Sequence, residues 1–163
     1  MNSPDFAGDI GQARILVIDD QESNLRLLEE LLAREGFDNV LSTTEPAQAL
    51  DLLRAFQPDL VLLDLMMPGL SGYAVLEQIE KQRSPDSFLP VLVLTADATR
   101  QARHRALALG AKDFLTKPFD NVEAMLRVWN LLETRFLYRR LKRLLGEQVG
   151  EALPRRRRPF TGT

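Results

Sequence analysis

The sequence predicts an α/β protein with an open, doubly wound sheet of five parallel strands and five helices. Short apolar segments of the kind that form buried strands alternate with segments whose apolar residues recur at helical spacing. The predicted strands are residues 14–18, 40–41, 59–63, 91–94 and 112–115. The predicted helices are residues 22–34, a helix that opens at Glu45-Pro46 and ends before Pro58, and residues 73–81, 100–109 and 121–145.

Helical periodicity and stop signals justify the individual helices. In the first, Leu25, Leu28 and Leu32 share one face, and Gly36 follows as a stop. Pro46 suits the first turn of the second helix because a proline lacks the backbone N–H that is unpaired there. Gly110 ends the fourth helix. Five strand–helix units of this kind predict parallel strands joined by helical crossovers.

Length and composition limit the domain organisation. The chain has 163 residues, a formal net charge of −2 and no cysteine, which excludes disulfides and cysteine-based metal sites. It has no apolar stretch long enough to span a membrane and no basic start typical of a signal peptide, so the cytoplasm is the expected location. We expect a flexible N-terminus at 1–12, one domain at 13–130, a helical extension at 131–146 and a flexible basic tail at 147–163.

Polar residues end, or directly follow, four of the predicted strands. They are Asp19, Asp20, Asp64, Thr95 and Lys117. The carboxyl ends of parallel strands share one edge of a sheet, so these side chains are expected to meet. Clustered carboxylates repel one another unless a hard cation lies among them, and Mg²⁺ binds carboxylates together with phosphate oxygens. The ammonium and hydroxyl groups suit the remaining oxygens of a phosphoryl group.

Asp64 is the predicted nucleophile, because an aspartate can form an acyl phosphate. Each residue also has an ordinary structural explanation. Asp19 and Asp20 could cap a helix, Asp64 could be a turn residue, and Thr95 could cap the following helix. Five such coincidences at one sheet edge favour the phosphoryl-transfer site.

Three sequence blocks resemble the signature of bacterial response-regulator receiver domains. They are Leu16-Val17-Ile18-Asp19-Asp20, Leu62-Leu63-Asp64-Leu65-Met66-Met67-Pro68-Gly69 and Thr116-Lys117-Pro118-Phe119. The resemblance covers roughly residues 13–130, with every block in order, and implies the flavodoxin-like strand order 2-1-3-4-5.

The resemblance implies specific roles for the site residues. Asp64 would be the phospho-acceptor, with Mg²⁺ bound by Asp20, by Asp64, by Asp19 often through water, and by the backbone carbonyl of Met66. A second set of residues would bind the phosphoryl group. These residues would then change the conformation of the face formed by the last two helices and the fifth strand. That set is Thr95, Lys117 and the aromatic Phe114. The phosphoryl donor would be a histidine kinase or a histidine phosphotransfer protein, and the domain would catalyse only its own phosphorylation and dephosphorylation.

The final predicted helix is longer than a single domain needs. Its roughly 25 residues would extend close to 40 Å. The expected interaction residues are Trp129, Leu132, Phe136, Leu137, Leu141 and Leu144, and the expected solvent-facing basic residues are Arg135, Arg139, Arg140, Lys142 and Arg143. We expect a homodimer through this helix or a linker to an output module.

The identity of the output stays open at this stage. Residues 131–138 resemble the linker helix of regulators whose output is a cyclic-di-GMP phosphodiesterase of the HD-GYP class, so the chain could be the receiver fragment of such a regulator. A constitutive dimerisation scaffold is a second alternative. A phosphatase of the haloacid-dehalogenase type is a third, but it would need a carboxylate where Met66 stands. The four arginines at 155–158, without accompanying aromatic residues, make specific nucleic-acid binding unexpected.

Overall fold

The structure, a computed structural model, describes residues 6–84 and 87–146. The strands are β1 (Arg14–Ile18), β2 (Asn39–Thr43), β3 (Leu60–Leu63), β4 (Val91–Thr95) and β5 (Asp113–Thr116). The α-helices are α1 (Phe6–Gly11), α2 (Glu22–Arg34), α3 (Ala49–Phe56), α4 (Gly72–Gln82), α5 (Arg100–Ala108) and α6 (Asn121–Leu145).

The five strands form one parallel sheet in the order β2-β1-β3-β4-β5. The predicted fold class and strand order are confirmed. The side chains of β3 and β4 are buried along their whole length, as expected for parallel strands that helices cover on both faces. All five carboxyl ends therefore lie along one edge of the sheet.

Alternate residues of each central strand pack into different halves of the core. On one face, Ile15 and Val17 of β1 pack with residues of α1, α2 and α6. On the other face, Leu16 and Ile18 pack with residues of α3, α4 and α5. This two-residue alternation is the normal consequence of a pleated strand between two helical layers.

The N-terminal segment differs from the sequence prediction. A flexible segment was expected through residue 12, but residues 6–11 form helix α1. Ile10 is buried in the core beside α6, and the carbonyl of Gln12 accepts a hydrogen bond from Asn39 Nδ2 at 3.0 Å. A helix this short is not stable alone, so its formation depends on these tertiary contacts. The predicted basic tail at 147–163 lies outside the described residues.

The second predicted helix also begins differently. Residues Pro46–Gln48 form a 3₁₀ turn, and the α-helix starts only at Ala49. The hydroxyl of Thr43 accepts a hydrogen bond from the Glu45 amide at 3.0 Å. This side-chain contact turns the chain away from β2 before regular helical bonding begins.

Helix α6 has the predicted bounds, but half of its expected interaction residues pack within the chain. Leu132 is fully buried, Trp129 packs on Phe37 with ring centroids 5.2 Å apart, and Phe136 packs against the same core. The expectation that Leu132 lies on an intermolecular surface is wrong, because the core buries it. Trp129 and Phe136 are only partly buried against the core, and their place in an interface stays a prediction.

The outer face of α6 agrees better with the expectation. Leu137, Leu141 and Leu144 are exposed. The basic face is only partly exposed, because Arg135 is mostly buried and pairs with Asp59. Within the described part of the chain, no helix combines the length and the apolarity needed to cross a membrane.

Candidate phosphoryl-transfer site

The predicted site residues meet at the carboxyl edge of the sheet. Asp19 and Asp20 follow β1, Asp64 follows β3, Thr95 ends β4 and Lys117 follows β5. One carboxylate oxygen from each of the three aspartates lies within 4.8 Å of the others. The arrangement brings three carboxylates and one ammonium group together from three strands.

Lys117 forms ion pairs with two of the carboxylates. Its Nζ lies 2.8 Å from Asp19 Oδ2 and 3.3 Å from Asp64 Oδ2. The second oxygen of Asp19 accepts hydrogen bonds from the Gln21 amide at 2.9 Å and from Asn24 Nδ2 at 3.4 Å. Asp19 is therefore almost fully buried and fully hydrogen-bonded, which suits a positioning carboxylate that orients its neighbours.

Asp64 is only 7% exposed. Its Oδ1 accepts a hydrogen bond from the Met66 amide at 3.0 Å. Burial raises the pKa of Asp64 above its ordinary value of 3.8, the Met66 hydrogen bond and Lys117 oppose that rise, and the charge of Asp19 adds to it. Burial therefore makes ionisation of this carboxyl group costly in free energy, and a nearby cation would offset that cost.

Asp20 is the residue that best indicates such a cation. Its Oδ1 is buried and has no hydrogen-bond partner. A buried carboxylate oxygen without a partner is costly unless a ligand satisfies it. Three carboxylates beside one ammonium leave an excess of negative charge, and oxygen ligands of this kind are those that Mg²⁺ prefers. The residues present therefore fit a bound Mg²⁺.

Thr95 ends β4 at this edge of the sheet, and Phe114 lies on the neighbouring strand β5. Thr95 is fully buried, its hydroxyl accepts a 3.4 Å hydrogen bond from the Asp97 amide, and its carbonyl accepts one from the Lys117 amide at 2.7 Å. Phe114 is buried too, with the guanidinium carbon of Arg103 6.0 Å from its ring centroid. The aromatic side chain of β5 thus already lies in the inward position.

Gly72 is a site residue that the sequence analysis missed. A Cβ built on Gly72 would lie 2.4 Å from both the Asp64 carbonyl oxygen and Leu65 Cα, and the Gly72 amide donates to the Leu65 carbonyl at 3.1 Å. Any side chain here would displace the backbone of the nucleophile. In the sequence, Ser71-Gly72 indicates only a loop. The close approach of Gly72 to the backbone of Asp64 and Leu65 arises when the chain folds back on itself, so no local pattern records it.

Comparison with known proteins fits this geometry. The family model for the response regulator receiver domain matches residues 15–128. The chain belongs to this family. Receiver domains are signalling modules that take phosphoryl groups from histidine kinases, and residues 15–128 of this chain form a domain of this kind. The resemblance of residues 131–138 to an HD-GYP linker stays a prediction, because the matched region ends before the extension.

Two curated relatives and one solved structure illustrate the similarity. Response regulator PleD of Caulobacter vibrioides is 43% identical over 124 residues, 76% of this chain and 26% of that protein. The alkaline phosphatase synthesis transcriptional regulatory protein PhoP of Bacillus subtilis is 39% identical over 73% of this chain and 48% of that protein. The receiver domain of the Francisella response regulator 1452 is 30% identical, with a TM-score of 0.68, over 77% of this chain and 99% of that structure.

This chain matches only part of the length of each of these curated relatives. This chain spans about a quarter of PleD and about half of PhoP. The similarity therefore concerns the receiver domain, and it does not extend to the remaining parts of those proteins.

Proposed function

We propose that this receiver is a phosphorylation switch in which Asp64 accepts the phosphoryl group of a phosphohistidine from a histidine kinase or a histidine phosphotransfer protein. A carboxylate oxygen of Asp64 would attack phosphorus in line, the bond to the histidine nitrogen would break, and an aspartyl phosphate would form. The observation that carries this proposal is the placement of the buried Asp64 carboxyl group beside Lys117 and near the partner-free oxygen of Asp20.

Mg²⁺ is the cation we propose for the site. Asp20, Asp64 and the backbone carbonyl of Met66 would bind it, with Asp19 acting from the adjacent position. The ion would supply charge neutralisation for the transferring phosphoryl group. The residues themselves provide the rest: the Met66 amide orients Asp64, and the hydrogen bonds from Gln21 and Asn24 fix Asp19.

Phosphorylation of Asp64 would change the conformation of the domain through Thr95, Lys117 and Phe114. The Lys117 ammonium and the Thr95 hydroxyl would bind phosphoryl oxygens, and movement of Thr95 would alter the packing of Phe114 on the face formed by α5, β5 and α6. Phe114 is buried in this structure, and phosphorylation would stabilise this inward arrangement. Such a switch works by biasing two existing states.

The output surface we propose is the outer face of α6. Leu137, Leu141 and Leu144 are spaced by four and three residues, the pattern of a coiled-coil seam. A second copy of the chain would bury this face, in the cytoplasm, and a downstream protein or attached output domain would respond. Control of a partner, without further enzymatic chemistry, is the proposed activity.

A constitutive dimerisation scaffold is the second candidate. The exposed leucine face of α6 favours it, because a second copy could bury these side chains whether or not Asp64 is phosphorylated. A receiver fragment of a cyclic-di-GMP phosphodiesterase regulator remains a variant of the switch, in which the extension leads into that output.

Intact mass after incubation with an acyl phosphate donor, with and without Mg²⁺, tests the proposal. We expect a Mg²⁺-dependent gain of one phosphoryl group that Asp64→Asn abolishes and Asp51→Asn, a matched change at an exposed aspartate of α3, retains. Labelling that survives at full level in Asp64→Asn would contradict the assignment. Size measured in parallel separates the candidates: a shift on phosphorylation supports the switch, and a constant dimer supports the scaffold.

A further inference from the structure

A second buried aspartate lies at the opposite edge of the same sheet. Asp59 precedes β3, as Asp64 follows it, and it is only 6% exposed. Its Oδ2 accepts a hydrogen bond from the Arg14 amide at 3.0 Å, and its own amide donates to the Arg14 carbonyl at 2.7 Å. Asp59 is thus fixed to the amino end of β1 by two backbone contacts.

The other oxygen of Asp59 binds the extension of α6. Asp59 Oδ1 lies 3.3 Å from Arg135 Nε and 3.1 Å from Arg139 Nη1. Arg135 also donates from Nη1 to the Phe88 carbonyl at 2.7 Å. We call Asp59, Arg135 and Arg139 the Asp59 anchor. It joins two successive turns of α6 to the amino ends of β1, β3 and β4.

Arg135 depends on this carboxylate. Its side chain is 17% exposed, and burial lowers its pKa while the charge and hydrogen bond of Asp59 raise it. A buried guanidinium is costly without an opposite charge, so removing Asp59 would leave an uncompensated cation under the helix. The free energy of attachment therefore depends strongly on one side chain.

Open clefts flank the anchor on both sides of α6. A cavity of about 480 Å³ lies on the α1 side, between Gln12, Arg14 and Arg143. Another of about 480 Å³ lies on the other side, next to Ser87 and Lys142. Between them, the Tyr138 ring stacks on Phe88 with centroids 5.9 Å apart.

The anchor continues the face of α6 that is buried in the first half of the helix. Successive residues of an α-helix are about 100° apart, so Leu137 lies about 200° from Arg135. Leu141 and Leu144 fall on the same side as Leu137, and all three are exposed. Holding Arg135 and Arg139 against the domain therefore turns the leucines directly outward.

We propose that the Asp59 anchor keeps the α6 extension against the domain in this rotation and thereby presents Leu137, Leu141 and Leu144 to a second copy of the chain. This inference rests on the proposed role of α6 as the output surface. The occupant follows from the charge distribution. Arg135, Arg139, Lys142 and Arg143 lie towards the anchored side, so two leucine faces can meet without bringing these four cations together. Arg140, about 140° from Arg135, lies at the edge of the leucine face.

Hydrogen exchange measured by mass spectrometry on the full chain tests the attachment. In Asp59→Asn, peptides from residues 135–145 should exchange about tenfold faster or more, the equivalent of losing one hydrogen bond to a charged group, while residues 121–131 change little. Arg139→Gln, a change at a half-exposed residue, should increase the exchange rate of residues 135–145 by a smaller factor. It is the variant to measure if Asp59→Asn does not fold. Unchanged exchange at 135–145 in both variants would overturn the anchor. Asp51→Asn should leave both regions unchanged.

Single cysteines test the rotation, because the chain has no native cysteine. Leu141→Cys should form a disulfide between copies, and Lys142→Cys should not. In the Asp59→Asn background that preference should disappear. Equal cross-linking at both positions with the anchor intact would overturn the rotational role, and cross-linking at neither would overturn the second copy as occupant.

Phosphoryl labelling separates this inference from the proposed function. Asp59→Asn leaves Asp64, Asp20 and Lys117 unchanged, so it should be labelled as the native chain is. If the native chain itself takes no phosphoryl group, the proposed function fails, while the exchange result still decides the anchor.

Discussion

The two ends of β3 carry buried aspartates in opposite charge environments. At the carboxyl edge, Asp64 shares a cluster with Asp19 and Asp20 against the single ammonium of Lys117. At the amino edge, Asp59 stands alone against Arg135 and Arg139. One edge has an excess of negative charge and an oxygen without a partner, and the other has an excess of positive charge with each contact made inside the chain.

The difference separates a binding site from a structural attachment. An acidic cluster with an unsatisfied oxygen is complete only with a cation, so its chemistry depends on what it binds. An aspartate whose oxygens accept hydrogen bonds from a backbone amide and two guanidinium groups needs no further ligand. Changes at the amino edge should therefore alter stability and the position of α6, and changes at the carboxyl edge should alter Mg²⁺ binding and phosphorylation.

The largest expected effect is on stability, from Leu132→Ala near the amino edge. Leu132 is the last fully buried residue of α6 before Arg135. Its truncation should lower the free energy of unfolding by about 2–5 kcal/mol, measured by urea denaturation. Leu126→Ala, at a side chain of α6 that is 57% exposed and is not among the leucines proposed to meet a second copy, is the matched control and should change it by about 0.5 kcal/mol or less. Equal losses would show that the outer face of α6 is packed as well.

Gly72→Ala should disturb the carboxyl edge through the backbone. The new Cβ would overlap the Asp64 carbonyl, so we expect a loss of about 1–3 kcal/mol in stability and a phosphorylation rate lowered by about 100-fold. Gly11→Ala, where a Cβ meets nothing within 4 Å, controls for the added methyl group. A Gly72→Ala protein labelled at the native rate would mean that the loop after β3 adjusts freely.

Asp20→Asn should weaken Mg²⁺ binding, measured by calorimetric titration. Losing even an indirect partner of a metal site commonly costs about 10–100-fold in affinity, so a direct ligand should cost at least about tenfold. Asp59→Asn should leave Mg²⁺ affinity unchanged. Equal weakening by both changes would remove the distinction between the two edges.

The smallest expected effect is a gain in stability from Asp64→Asn without Mg²⁺. Burial raises the pKa of Asp64 above 3.8 in the folded protein, so the folded state holds this proton more tightly than the unfolded state. The contribution of Asp64 is thus most favourable at low pH and is lost as pH rises through the raised pKa. At pH 7 the amide should raise the melting temperature slightly, and the difference should shrink as pH falls towards 4. A lower melting temperature for Asp64→Asn at pH 7 would contradict this.

Much of the carboxyl edge could be predicted from sequence because each of its residues is tied to a strand end. Asp19, Asp20, Asp64 and Lys117 follow apolar segments that are recognisable locally, and parallel topology then brings them together. The relation of Thr95 to the phosphoryl group stays a prediction, since its hydroxyl contacts the Asp97 amide in this structure.

The amino edge could not be predicted in the same way. Asp59 pairs with residues 76 and 80 positions away in sequence, and the arginines lie in a run of basic residues that resembles an ordinary solvated face. Helix α1 was missed for a related reason, because Ile10 becomes a core residue only once α6 lies beside it. Both features depend on contacts between chain segments that no local pattern records.

The position of the anchor along α6 makes the end of the helix a lever. Leu144 lies nine residues beyond Arg135, a distance of about 14 Å along the axis. A tilt of about 10° at Asp59 would move this leucine by roughly 2.4 Å, whereas the residues near Leu132, close to the pivot, would hardly shift. Sub-ångström adjustments in the domain would thus be amplified at the tip, where interlocking side chains tolerate little misalignment.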